Sequence, residues 1–236
     1  MIHIHGLSKR FGKQDVLCAL DLEIRPGRVT AIVGPNGAGK TTLIKIVLGL
    51  TRRDTGAIVL DGTPIGDDPG YRSRIGYMAQ IARFPENLTG RELLALLTDL
   101  RGSPAVDEDL IAGFRLEAEL DKPLGTLSGG TRQKVSAVMA FLFDPDLLIL
   151  DEPTAGLDPV SSAILKDKIL AARAAGKTVI VTSHIMSELE ELADDVVFLL
   201  DGKAPFSGAL SDLKIRTRQR SLERAIAQMM MSVEAA

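Results

Sequence analysis

Short apolar runs recur along this chain, and their period changes from one run to the next. "IHIHGL" (2–7) and "CALDLEI" (18–24) alternate apolar with polar positions, the pattern of strands with one buried face. "VTAIVG" (29–34), "LLILDEP" (147–153) and "TVIVTSH" (178–184) are continuous aliphatic, β-branched runs and predict strands buried on both faces. Between them, helical spacing of apolar positions predicts helices over Thr41–Leu50, Thr131–Phe143, Val160–Ala174 and Met186–Leu192. Buried strands alternating with helices predict an α/β fold with a mostly parallel sheet covered on both faces. "VVFLLDGK" (196–203) adds a strand that closes on an Asp-Gly turn.

Residues 85–125 break the rhythm, with two helical stretches and no buried-strand run. In "LTGRELLALLTDLRG" (88–102), Thr89 and Glu92 have capping-box spacing ahead of Leu93, Leu94, Leu96, Leu97 and Leu100, and Gly102 with Pro104 ends the helix. A small helical lobe inserted into the α/β core is expected there.

Composition changes this picture little. The chain has 236 residues, 28 basic against 31 acidic, a net charge of −3, and so no global charge that calls for nucleic acid. Cys18 is the one cysteine, which excludes an internal disulfide and fits a reducing compartment. "MIHIHGLSKRF" carries no signal-peptide core, and the longest apolar run, about Val135 to Phe143, falls far short of the ~20 residues a membrane span needs. A cytoplasmic chain is expected, unless a partner holds it at a membrane.

The chemistry begins at Gly34-Pro35-Asn36-Gly37-Ala38-Gly39-Lys40-Thr41-Thr42, which fits G-x-x-x-x-G-K-[ST] between a strand and a helix. Glycines let backbone amides turn inward around an anion, and the helix start adds its positive dipole end. Lys40 is placed to reach the outer phosphates of a nucleoside triphosphate, and the Thr41 hydroxyl suits Mg²⁺. Asp151 and Glu152 follow a buried strand at the end where open α/β sheets bind ligands. Asp151 alone could cap a helix; beside a phosphate loop it reads as a Mg²⁺ holder, with Glu152 polarising the attacking water. His184, at the end of another buried strand, is either a polar surface group or a hydrogen-bond partner of the γ-phosphate. His3 and His5 alternate on the first strand and read as strand surface, since two histidines lack a third ligand.

"LSGGTRQK" (127–134) is a second helix start, with Ser128 at the cap and Gly129 and Gly130 freeing the backbone. It is either an ordinary capped helix or an anion site that completes another subunit's nucleotide pocket. With the phosphate loop, Gln80 in "GYMAQ", the acid pair, "AGLD" ending at Asp158, and His184, it resembles the ATP-binding subunit of an ABC transporter over nearly the whole chain.

The resemblance implies a P-loop core with antiparallel β elements near the amino terminus and an inserted helical subdomain. Its expected boundaries are a cassette over 1–214, with 1–84 and 126–214 as a RecA-like core carrying the β subdomain. The helical subdomain is 85–125 plus the signature helix, and a helical tail follows at 215–236. It further implies a head-to-tail homodimer, or pseudo-symmetric dimer, that sandwiches two ATP molecules and closes on binding them. Phe11 would stack on adenine; Ser128, Gly129, Gly130 and Asp158 would act in trans; Glu152, His184, Gln80 and Lys40 would be catalytic; Thr41, Gln80 and Asp151 would hold Mg²⁺. Gln80 and the helical lobe would pass the motion to an integral membrane permease, placing the chain at the inner face of the cell membrane, with no nucleic acid partner.

Two residues depart from the family pattern: Thr131, where glutamine is commoner, and Ala155, where serine is frequent. Neither removes the glycines, Glu152 or His184, so an active ATPase is expected. A soluble ABC ATPase serving cofactor assembly is the alternative to a transporter subunit. Ser128 follows Lys40 by 88 positions, too few for the coiled-coil insertion of chromosome-type relatives. Phe84, Pro85 and Leu88 either pack the lobe or line a groove for the permease. The basic tail (Lys214, Arg216, Arg218, Arg220, Arg224) is either a solvated helix face or skims an anionic membrane. The compact form resembles exporter-type ATPases, and "IARFPENLT" (81–89) resembles subunits serving copper-site maturation of nitrous oxide reductase.

Overall fold

The computed structural model describes residues 2–66, 68–102, 104 and 107–234, with side chains in the last helix described to Ser232. The chain runs β1 (Ile2–Phe11), β2 (Gln14–Ile24), β3 (Val29–Val33), α1 (Lys40–Val47), β4 (Thr55–Leu60) and β5 (Thr63–Pro64). It continues through β6 (Ile75–Met78), α2 (Gly90–Arg101), α3 (Asp109–Gly113), α4 (Gly129–Phe141), β7 (Leu147–Asp151) and α5 (Pro159–Ala174). The last elements are β8 (Thr178–Thr182), α6 (Met186–Leu192), β9 (Asp195–Leu200), β10 (Lys203–Ala209), α7 (Leu210–Thr217) and α8 (Leu222–Glu234). Two compact units result, one from 1–72 with 178–236 and one from 73–177.

In the first unit β1 lies between β2 and β4, antiparallel to both. The alternation read in the sequence puts Ile2, Ile4 and Leu7 inward with Leu20, Leu22 and Ile24, all nearly inaccessible. His3 and His5 sit on the other face with stacked rings. β3, buried at every residue, runs parallel to β8 on one side and β9 on the other, and β10 folds back antiparallel to β9. Asp195 at the start of β9 is buried and satisfied by bidentate Arg25 and by Arg28 at 3.2 Å. The basic tail is divided by Arg218, which has φ 54, into α7 and α8. α7 spans the boundary expected between 214 and 215, and residues 235 and 236 of the expected tail lie outside the described residues. Glu190 ties α6 to both tail helices, taking Lys214 at 2.5 Å and the Leu222 amide at 3.1 Å.

In the second unit β6 runs parallel to β7, Ile75 opposite Leu147 through Met78 opposite Leu150. α2 begins at the expected Thr89–Glu92 capping box and ends on Gly102 at φ 63. α4 starts two residues earlier than its apolar pattern and stops at Phe141, where Asp144 at φ 46 turns the chain. No described helix is long and apolar enough to cross a membrane.

Candidate active site

In the first unit β3 delivers the chain into the phosphate loop. A Cβ on Gly34 would lie 2.1 Å from the Leu199 carbonyl oxygen, so only glycine passes there. Gly39 caps α1 at φ 103, and its missing Cβ leaves room for Leu17 and the Val16 carbonyl, which would otherwise lie at 2.7 and 2.8 Å. Gly37, at φ 83, has no heavy atom within 4 Å of a built Cβ; the loop is open at that point. Pro35 and Ala38 close the turn through the Ala38 amide at 3.2 Å, with Asn36 exposed beside them. Lys40 Nζ donates to the carbonyls of Gly34 at 2.7 Å and Pro35 at 3.1 Å, which holds the ammonium across the loop. Thr41 is exposed and Thr42 half-buried in the first turn of α1, whose Leu43, Ile44, Ile46 and Val47 anchor it in the core.

Parallel pairing of Ala31 with Val181 makes β3 and β8 end together. His184 leaves β8 at the same edge as Gly34 leaves β3, and is exposed. Buried Ser183 shapes that turn by accepting the Ile185 amide at 3.0 Å. Phe11 ends β1 half-exposed, with Lys9 Nζ 5.0 Å from its ring centroid. The partner strand β2 supplies the Val16 and Leu17 that back Gly39.

In the second unit Gln80, Asp151 and Glu152 leave the carboxyl ends of neighbouring strands. Asp151 and Glu152 are buried; Gln80 is exposed. Glu152 has φ 53, a left-handed conformation that costs a non-glycine residue about 1–2 kcal/mol. The Ala155 amide accepts this bend by donating to the Glu152 carbonyl at 3.1 Å, and buried Gln133 approaches the same oxygen at 3.5 Å. Tyr77, in β6, has its phenol pushed up by burial and by the Asp151 charge. No motif marks Gln133 or Tyr77 as a site residue; the signal for Gln133 is its place in the signature helix.

Ser128 caps α4 by accepting the Thr131 amide at 3.1 Å, and Ser128 and Gly129 are exposed at the helix start. Gly130 allows the signature to press on the loop before α5: a Cβ there would lie 2.8 Å from the Gly156 carbonyl oxygen. Asp158 caps α5, accepting from the Ser161 amide at 2.9 Å and hydroxyl at 2.7 Å, and it bonds Lys134 at 2.9 Å. The Ser161 hydroxyl above all, then the Ser161 amide and Lys134, hold its carboxyl far below the usual carboxylate range. The carboxylate expected to act in trans is thus engaged by three donors of its own chain.

The ABC transporter family model matches residues 17–155. The chain belongs to the ABC transporter family. It is an ATP-binding cassette subunit and an ATPase. A Nod factor export ATP-binding protein I from Ralstonia nicotianae is 34% identical over 222 residues, spanning 90% of this chain and 68% of that protein. The human phospholipid-transporting ATPase ABCA3 is 36% identical over 220 residues, which are 89% of this chain and 13% of that protein. A solved ATP-binding subunit of an ABC transporter superposes with a TM-score of 0.90 at 32% identity, covering 98% of this chain and 99% of that one. A dimeric ATP-binding cassette in a post-hydrolysis state with ADP and Pi shares the fold, with a TM-score of 0.79 at 23% identity over 89% of this chain and 99% of that one. The mixed α/β architecture expected from the sequence is the fold of these cassettes.

Proposed function

We propose that this cassette drives an exporter as a head-to-tail pair held at the inner face of the membrane by a separate integral permease. The supporting observation is the second anion-competent helix start. Ser128 and Gly129 stand exposed, with open space where a Cβ on Gly129 would lie, in a chain whose phosphate loop already provides one. A two-fold pair uses both starts on each nucleotide, one from each chain. The export direction is supported by likeness to the Nod factor export proteins. The resemblance to copper-maturation subunits rests on residues 81–89 alone and adds nothing to this reading.

In this mechanism the loop 34–42 cradles the phosphates, Lys40 exchanges its two carbonyl partners for phosphate oxygens, and Phe11 stacks on the base. Glu152 takes a proton from, or orients, the attacking water, and His184 and Gln80 bond the γ-phosphate and water. Ser128 and Gly130 of the partner would close over that γ-phosphate. With its carboxylate committed to Ser161 and Lys134, Asp158 would act by shaping the loop 155–157 that faces the partner. Mg²⁺ fits the donors present: a hydroxyl at Thr41, an amide at Gln80 and a buried carboxylate at Asp151. Magnesium takes few protein oxygens and completes its shell with phosphates and water. Bound there, it would neutralise charge on the phosphates.

A pull-down from solubilised native membranes with Glu152→Gln as bait, which should trap the closed pair, tests the proposal. Co-purification of a polytopic membrane protein is the expected result. Recovery of soluble proteins alone would overturn the permease-coupled reading in favour of a soluble assembly ATPase.

A further inference from the structure

The signature's departure at Thr131 has a definite geometry. Ser128 is the cap of α4 and Thr131 its third residue, the spacing at which glutamine or glutamate closes a capping box by reaching back to the cap's own amide. Threonine is too short for that reach. Its hydroxyl lies 2.8 Å from Ser128 Oγ, and its amide donates to the same oxygen at 3.1 Å. Two other helical threonines turn the hydroxyl back one turn to a carbonyl, Thr98 to Leu94 at 3.0 Å and Thr217 to Leu213 at 2.8 Å. Among the described residues, the Thr131 hydroxyl has Ser128 as its partner instead.

We propose that Thr131 is a positioning residue that fixes the Ser128 hydroxyl as a hydrogen-bond donor toward the γ-phosphate of the partner chain's ATP; this rests on the in-trans role of Ser128 given above. A serine hydroxyl has two lone pairs and one proton. The Thr131 amide occupies one lone pair, and the Thr131 hydroxyl, when it donates, occupies the other. The Ser128 proton is then directed outward, and Ser128 is exposed. The reverse orientation, with Ser128 donating to Thr131, would turn a lone pair toward the phosphate, whose negative charge opposes it. Two hydroxyls in series also polarise one another, strengthening each bond by about 10–30%.

The test uses the full chain carrying Glu152→Gln, so that binding is read without turnover. It measures the ATP concentration at half-maximal dimer by light scattering. Thr131→Val keeps the shape and the backbone cap but removes the hydroxyl; it should raise that concentration about three- to tenfold, the size expected for one hydrogen bond. Thr131→Ser should restore it, and the nucleotide-free melting temperatures should agree. Ser128→Ala, in parallel, separates the two claims. If Ser128→Ala weakens dimerisation and Thr131→Val does not, the role of Thr131 is overturned while the in-trans signature stands. If neither has an effect, the in-trans reading itself fails. A lowered melting temperature with Thr131→Val, unrescued by Thr131→Ser, would reduce Thr131 to a structural cap.

Discussion

Glu152, the proposed base, combines three local features in one residue. Its backbone is left-handed, its side chain is buried, and its carbonyl is held by Ala155. Strain of this kind persists where surrounding contacts over-determine it. Replacing the carboxylate with an amide in Glu152→Gln keeps the shape and removes the proposed base. Steady-state ATPase assays should show kcat falling about 10²- to 10⁴-fold with little change in ATP affinity. Asp158 offers a second test, through pH. Its pKa is lowered by folding, so its contribution to stability is fully present above the unfolded carboxylate value of about 3.9 and is lost as pH falls toward the folded value. Thermal melts of the parent and of Asp158→Asn should differ by a constant amount above about pH 5 and converge in more acidic buffer. A gap that stayed constant into acid would mean that the carboxylate's charge plays no part. The places of both residues were legible in the sequence: an acid after a buried run, and an aspartate before a helix. Glu152's turned backbone and Asp158's three donors were not, since each depends on residues distant in sequence or on a single dihedral angle.

Local signals predicted elements best where they were dense. The capping box at Thr89 and Glu92 and the Asp-Gly turn after β9 formed as read. β6 has no clear sequence signal, since it is four residues long and carries Gly76 in its interior. That glycine is explained by α4, since a Cβ there would lie 2.0 Å from the Ala140 carbonyl oxygen. Such a reason is tertiary and cannot be read from a short strand. The two Asp-Gly turns carry the same lesson. Asp61-Gly62 and Asp201-Gly202 have nearly the same φ angles, 48 and 47 at the aspartates and 80 and 74 at the glycines. Around Gly62 nothing lies within 4 Å of an added Cβ, whereas at Gly202 the Val16 carbonyl oxygen would lie at 2.7 Å. Gly62→Ala should therefore cost only the conformational penalty, about 1 kcal/mol. Gly202→Ala, which must also displace β2 backbone, should cost roughly 2–3 kcal/mol, or about 4–12 °C in melting temperature. Equal shifts in the two variants would show that the β2 contact gives way freely.

At the scale of the molecule, the phosphate loop and His184 belong to one compact unit, and the signature, acid pair and Asp158 to the other. Within the second unit the signature helix contacts Glu152, Gly156 and Asp158 directly. Gly130 presses on Gly156, Lys134 grips Asp158, and Gln133 reaches Glu152. In a head-to-tail pair, the signature that closes on one nucleotide would thus be joined to the glutamate serving the other, so that the two sites share one rigid element. Mixing two variants, each expected to impair every site of its own dimer, tests this arrangement. Lys40→Ala removes a phosphate-loop cation and Ser128→Ala a signature donor. A mixed dimer of the two has one site with both defects and one with neither. If each nucleotide lies between the phosphate loop of one chain and the signature of the other, the mixture should recover ATPase activity, up to about a quarter of the parent's, since half the dimers are mixed and each has one sound site. If each chain built its site alone, every site in the mixture would keep one defect, and activity would stay at the level of the separate variants. Recovery that falls on dilution, as the pairs separate, would show that the shared site depends on the partner chain's presence.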